Sequence, residues 1–396
     1  MTTIDIFGGL NRPILVMDGG LGSTLEETCK IEVASTPLWS AGALGKEPEA
    51  IVAAHLAFLR AGAEIIETST YQCSFSTFER AGYDSNEAWQ LMRKSVLLAH
   101  RARTIFEEER RMSDERQRPG STRCDDPRNI RLCLSLGPFG ASLKPTQEFG
   151  GFYPPPYGPR EYSPDGPNIN YIDDEKMEEE AIQALTTFHL ERLSLFAQDD
   201  EIWSYIDVIA FETVPLAREA ISIRRTMARL REKNIDVSKQ WWISFVFPEG
   251  RCPQMMDTAG ERLIASDLVC AALSLGFSDG DGGKSLPVPR GIGINCTGVQ
   301  YLPRLVEEME RACKKIGSET RPFLVLYPNG GGEYDENLGA WKTSVGEEAK
   351  NEWEITLVDL VDRTLNSPDV NWSGVVVGGC CRCDAKQISR LSRLLK

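Results

Sequence analysis

Two glycines and two adjacent cysteines, Gly378-Gly379-Cys380-Cys381, follow the apolar run Gly374-Val375-Val376-Val377, with Cys383 just beyond. A partner thiol, Cys296, ends a second apolar run in Gly293-Ile294-Asn295-Cys296. Cysteines at the mouths of buried strands suit metal-ligand or redox chemistry. Zinc prefers tetrahedral thiolate or imidazole ligands, and three protein ligands with one open position make a catalytic site. Two other arrangements draw on the same residues: a closed four-cysteine structural site completed by Cys383, or a redox-active Cys380-Cys381 pair without metal. Spacing alone leaves all three open. Adjacent side chains of a regular strand point to opposite faces, so Cys380 and Cys381 must sit on a bend. Gly378 and Gly379 are expected to give the backbone freedom for it.

Carboxylates recur at comparable positions. Asp18 follows Ile14-Leu15-Val16-Met17, and Glu212 follows the apolar stretch 206–211. Each reads either as a site group or as local structure, a turn-forming Asp and a Glu at a helix N-terminus. Thr70, Tyr71 and Gln72 follow the run 64–68 and are candidate pocket-wall residues; an aromatic face suits a cationic ligand. Asn295 either orients its neighbour Cys296 or binds a substrate carboxylate. Gly19, Gly20 and Gly22 are read as a close approach of backbone to substrate. The three histidines, His55, His100 and His189, fall in helical segments away from strand ends and are read as structural. Cys29, Cys73, Cys124, Cys133, Cys252, Cys270 and Cys313 are read as small buried residues or plain surface thiols.

The elements that must position these groups alternate regularly. Strands are expected near 14–17, 64–68, 132–136, 206–211, 241–247, 291–294, 323–326 and 374–377. Helical patterns cover 48–61, 87–111, 178–198, 216–233, 261–275, 301–316, 345–365 and 387–395. Short apolar strands joined by helical crossovers mean a parallel sheet, and eight such units close into an α/β TIM-type (β/α)8 barrel. An open doubly wound sheet is the other arrangement, but it gathers its special residues at one switch point. Here they follow nearly every strand. The chain is read as a single barrel domain over 1–396, with loop insertions at about 110–129 and 144–170.

The balance of 44 Lys and Arg against 58 Asp and Glu gives a net charge of −14. Such a surface repels nucleic-acid phosphates over most of its area. Residues 1–11 do not read as a secretory leader, and no run has the roughly 18 apolar residues that span a membrane. The expected location is the cytoplasm. In that reducing compartment eleven cysteines, an odd number, are not a disulfide framework.

Asp18-Gly19-Gly20, Thr68-Ser69-Thr70-Tyr71-Gln72, Gly137-Pro138-Phe139-Gly140-Ala141, Glu212-Thr213-Val214-Pro215, Gly293-Ile294-Asn295-Cys296, Tyr327-Pro328-Asn329 and Gly378-Gly379-Cys380-Cys381 together resemble, in order, the motifs of the homocysteine S-methyltransferase family. The resemblance implies a zinc-dependent barrel enzyme that moves a methyl group from S-methylmethionine or S-adenosylmethionine to homocysteine, forming methionine. It implies Cys296, Cys380 and Cys381 as ligands of Zn2+, with no catalytic side chain beyond the metal site. It assigns Asp18 and Glu212 to the homocysteine amino group. Betaine-dependent members share the metal motif, so betaine is the alternative donor. A non-catalytic barrel with a closed four-cysteine zinc site is the alternative of another class. The implied partners are small molecules, with no nucleic acid, no membrane and no assigned oligomeric state.

Overall fold

The computed structural model describes residues 6–8, 13–33, 36–117, 129–233, 235, 238–277, 285–317, 321–331, 334–335, 340–341, 347–366 and 372–396. Most of the 1–11 stretch, residues 118–128 of the first insertion, Cys124, Gly332 and the start of the 345–365 helix lie outside the described residues.

Strands β1 (Ile14–Val16), β2 (Ile65–Glu67), β3 (Arg131–Leu136), β4 (Val208–Val214), β5 (Gln240–Phe245), β6 (Gly291–Gly298) and β7 (Phe323–Asn329) belong to one sheet, while β8 (Tyr334–Asp335) and β9 (Ala340–Trp341) make a separate antiparallel pair. The last strand, β10 (Val375–Val377), inserts between β1 and β7, giving the all-parallel order β1-β10-β7-β6-β5-β4-β3-β2. The seam between β1 and β2 is bridged at Met17 and Ile65, where Asp18 N donates to Ile65 O at 3.0 Å and Glu64 N to Val16 O at 2.6 Å. The sheet is therefore the (β/α)8 barrel expected, not the open doubly wound sheet.

Parity along the strands sorts the core into two layers. Leu15, Met17, Ile65, Cys133, Val208, Ala210, Trp242, Phe323, Val325, Tyr327 and Val376 fill the barrel interior. Their neighbours of opposite parity, such as Val16, Ile66, Leu134, Ile209, Ile243, Ile294, Leu324 and Val377, pack outward against the helices. The interior parity continues to Glu67, Ser135, Glu212 and Ser244 at the C-terminal ends of their strands. Those polar groups therefore crown the barrel's apolar filling.

The crossover helices begin and stop where local chemistry dictates. The helix Pro48–Ala61 has proline in its first turn, where no N–H is needed, and ends at Gly62 in the left-handed region at φ 109°. The helix Ala385–Leu395 is held by a capping box between Asp384 and Gln387. Among the helix boundaries the largest difference from expectation is at the helix Ser85–Gln117, which runs well into the stretch read as the insertion 110–129. Its outer turns are rich in Glu and Arg, which favour helix as readily as solvated loop. The second insertion, 144–170, contains neither helix nor strand and folds over the strand ends.

Candidate metal centre and substrate cavity

The register brings the two cysteine-bearing strands to a common height. Ile294 pairs with Leu326 and Leu326 with Val377, so these three residues of β6, β7 and β10 stand at one level. Beyond that level the backbone turns, and the sulfurs of Cys296, Cys380 and Cys381 come within 4.8 Å of one another. Cys383 lies outside this group; it is fully buried in the core.

The bend is produced differently from the expectation. Gly378 and Gly379 do not take left-handed conformations; the positive φ falls on Arg382, at 60°. Their missing side chains allow close packing instead. A Cβ on Gly378 would sit 2.2 Å from Met17 Cγ and 2.7 Å from Asp18 O, and one on Gly379 would sit 2.1 Å from Cys383 Sγ. The glycines after β1 answer them. A Cβ on Gly19 would meet Cys383 O at 2.4 Å, and one on Gly20 would meet Cys380 O at 2.6 Å. Gly19 and Gly20 thus let backbone approach the cysteine loop, and with Gly22 they also line the cavity described below. A Cβ on Gly22 would meet only Val33 Cγ2 among the described residues, at 3.9 Å.

Cys296 reaches the cluster through an irregularity. The pairing of β6 with β7 shifts between Asn295 and Gly298, and Cys296 adopts φ 47°. A matching shift in β4 spans Phe211 to Val214, with Thr213 at φ 59°. Such bulges re-aim side chains, and non-glycine residues with positive φ are held there only by surrounding contacts. Asn295 supplies them: its Oδ1 accepts from Thr213 N and its Nδ2 donates to Thr213 Oγ1, both at 2.7 Å. Thr213 Oγ1 then donates to Cys296 Sγ at 3.9 Å. Of the two roles open to Asn295, the structure supports orientation of its neighbours.

A cavity of about 560 Å3 opens from the three thiols to the surface. Its lining includes Asp18, Glu67 and Glu212, the phenol of Tyr71, Gln72, and the aromatic residues Trp39, Phe149, Phe152, Phe247 and Tyr301. Asp18 Oδ2 accepts from Glu67 N at 2.9 Å, whereas Asp18 Oδ1 is buried without a hydrogen-bond partner. Glu212 accepts from Ser135 Oγ and bonds with Tyr327. Burial nevertheless pushes the Glu212 carboxyl up to about 7, and Asp18 well above its usual range, chiefly by burial and then by Glu212. Cys381 is held well below the ordinary thiol range by hydrogen bonds from Cys296 and Cys380.

Thr70 does not reach the cavity. Its buried hydroxyl donates to Ser135 O at 2.6 Å and fixes the start of the Tyr71 segment. Arg192 secures the same segment by donating to Gly137 O at 2.7 Å and Tyr71 O at 3.1 Å. The loop 144–170 is anchored by Glu219, which accepts from Phe139 N and Tyr153 Oη, both at 2.7 Å, with His189 Nε2 at 3.0 Å. His55, His100 and His189 all lie on helices and none lines the cavity.

Sequence reasoning missed Glu67, Ser135 and Tyr327 as members of the site. Parity was the available signal: each lies an even number of positions from an interior apolar residue of its own strand.

The thiol cluster fits a tetrahedral metal. Zinc–thiolate bonds of about 2.3 Å imply sulfur–sulfur separations of roughly 3.8 Å, within the spread observed. The donor set is soft and free of carboxylates, which suits zinc and other thiophilic metals.

The family model for homocysteine S-methyltransferase matches residues 15–395. Homocysteine S-methyltransferase 2 of Arabidopsis thaliana is 29% identical over 387 residues, covering 96% of this chain and 92% of that protein. Homocysteine S-methyltransferase YbgG of Bacillus subtilis (strain 168) is 27% identical, with 96% and 94% covered. The metallated form of the homocysteine methyltransferase MmuM from Escherichia coli shares the fold, with a TM-score of 0.59, 22% identity, and 97% and 96% of the two chains covered.

Proposed function

The chain belongs to the homocysteine S-methyltransferase family, and from that membership and its cavity we propose that it moves a methyl group from a sulfonium donor, S-methylmethionine or S-adenosylmethionine, to the sulfur of homocysteine, forming methionine. Cys296, Cys380 and Cys381 would hold zinc, which when bound supplies a Lewis acid that keeps a coordinating thiol deprotonated. The observation that carries the reading is the convergence of these three thiols on a cavity floored by carboxylates.

Asp18 and Glu212 bind the homocysteine ammonium. The unpartnered Asp18 Oδ1 is an acceptor, and Glu212 ionises readily once a cation sits beside it. In the transfer the homocysteine sulfur forms a bond to the methyl carbon, and the bond electrons of the donor return to its sulfonium sulfur. The leaving group is a neutral thioether, so no side chain has to supply a proton. Tyr71, Gln72 and the aromatic rim hold the cationic donor and exclude water, and most of the acceleration comes from orientation. Asn295 and Thr213 act by fixing Cys296. The whole chain works as one barrel domain, with 144–170 as its lid-side loop.

The test is methionine formation from homocysteine by the metal-loaded protein with S-methylmethionine, S-adenosylmethionine and betaine compared under one set of conditions. A sulfonium donor is expected to be used best. Cys296→Ala is expected to lose both stoichiometric zinc and turnover, whereas turnover with betaine alone, or no turnover with any of the three donors, overturns the reading.

A further inference from the structure

We infer that Glu67 is a third acceptor for the substrate's α-ammonium, completing with Asp18 and Glu212 a three-carboxylate cradle on the cavity floor. The inference rests on the proposed function and specifies how its acceptor substrate is recognised.

Glu67 ends β2 with the same parity as Ile65, whose side chain fills the barrel interior. It therefore points inward and lines the cavity. Its backbone N–H is already committed to Asp18 Oδ2 at 2.9 Å. Its Oε1, by contrast, is buried with no hydrogen-bond partner, as is Asp18 Oδ1. Two orphaned carboxylate oxygens from neighbouring strands thus share one floor with Glu212 of β4.

Among the described residues, the cations that line the cavity are Arg251 and Arg262, and both are exposed. Arg262 is further committed to the carbonyls of Cys252 and Pro253, at 3.2 and 2.6 Å. Neither guanidinium neutralises the floor, so its carboxyls favour their protonated forms until a cationic ligand takes the protons' place. A primary ammonium carries three N–H donors, and β1, β2 and β4 each present one carboxylate to it. Burial, then the charges of Glu212 and Asp18, hold Glu67 well above the usual carboxylate range, so the three groups ionise together only around a bound cation. A free amine therefore becomes a requirement for tight binding rather than an accessory contact.

The experiment compares homocysteine with 4-mercaptobutanoate, the same thiol acid without the amine, on the metal-loaded protein. Binding of each thiol is read by calorimetry, which needs neither donor nor turnover, and KM and kcat are read separately with the best donor. In the wild type, homocysteine is expected to bind at least tenfold more tightly than the des-amino thiol. Glu67→Gln is expected to raise the homocysteine dissociation constant and KM about tenfold, the loss of one charge-assisted contact. The same substitution is expected to leave kcat and des-amino binding within about twofold. Glu67→Leu, with no acceptor at all, is expected to show the same selective loss. Equal loss for both thiols, no loss for either, or a wild type indifferent to the amine overturns the inference. If the wild type makes no methionine but still binds homocysteine in preference, methyl transfer fails while the cradle stands.

Discussion

Glu212 links the chemistry of the cavity to the stability of the protein. Its carboxyl is raised from 4.5 to about 7, largely by burial, so the folded state binds a proton that the unfolded state has already released across that range. The stability it contributes is full below pH 4.5 and is lost as pH rises through 7. Asp18 and Glu67 shift in the same direction. The melting temperature of the homocysteine-free protein is therefore expected to fall between pH 5 and 8. Glu212→Gln should flatten that fall by removing up to about 3 kcal/mol of pH-dependent stability, the equivalent of its shift, and a set of melting curves across pH checks it. Cys383 gives a second residue-level outcome. It is buried in the core and outside the thiol cluster, so Cys383→Ala is expected to retain stoichiometric zinc while losing about 1–2 kcal/mol of packing. Metal analysis showing half or less of the wild-type zinc would restore the closed four-cysteine alternative.

At the scale of elements, the strand ends are shaped by contacts between segments distant in the chain. Gly378→Ala would drive a methyl group into Met17 and the Asp18 carbonyl. Because the neighbour includes backbone, relief requires the cysteine loop to move. A loss of roughly 1–3 kcal/mol is expected, together with weaker zinc retention measured against a competing chelator. Asn295→Ala leaves Thr213 N buried without its acceptor, and the expected cost is again about 1–3 kcal/mol. Its distinctive sign is faster alkylation of Cys296 in the metal-loaded enzyme, since Thr213 no longer holds that thiol in place. The sequence made Cys296, Cys380 and Cys381 legible because cysteines at the ends of apolar runs stand out. Glu67 was equally exposed to view at the end of Ile65-Ile66, but it carried no motif weight, and only barrel parity gives it direction. The left-handed turns at Thr213 and Cys296 were illegible, because nothing local distinguishes a non-glycine residue that tertiary contacts force to positive φ. Gly378 reads as flexible when it serves as a tight packing surface, a distinction that depends on which distant backbone lies opposite.

The whole molecule was the most legible level. Eight apolar runs separated by helical patterns specify a barrel, and the convergence of distant residues follows from closure alone. Helix ends were less so, as the Glu- and Arg-rich turns of Ser85–Gln117 show, because charged helix and charged loop share a composition. A metal bound at the thiols would join β6 to β10 across β7. Chelation is therefore expected to lower the unfolding temperature by several degrees, with stabilisation of about 2.7 kcal/mol when free zinc is a hundredfold above its dissociation constant. Calorimetric scans with and without chelator read this directly. The strand order carries a further consequence for how such a protein is made. β1 lies between β2 and β10, so the earliest barrel strand to leave the ribosome must wait for the latest before its second edge is covered. Asp18 emerges with the first of these and Cys380 and Cys381 with the other. Synthesis from the N-terminus at about 5–20 residues per second leaves an interval in which one wall of the cavity exists without its thiols. Nascent chains arrested before Val375 are expected to hold no zinc, which makes metal capture a signal that translation of the barrel has finished.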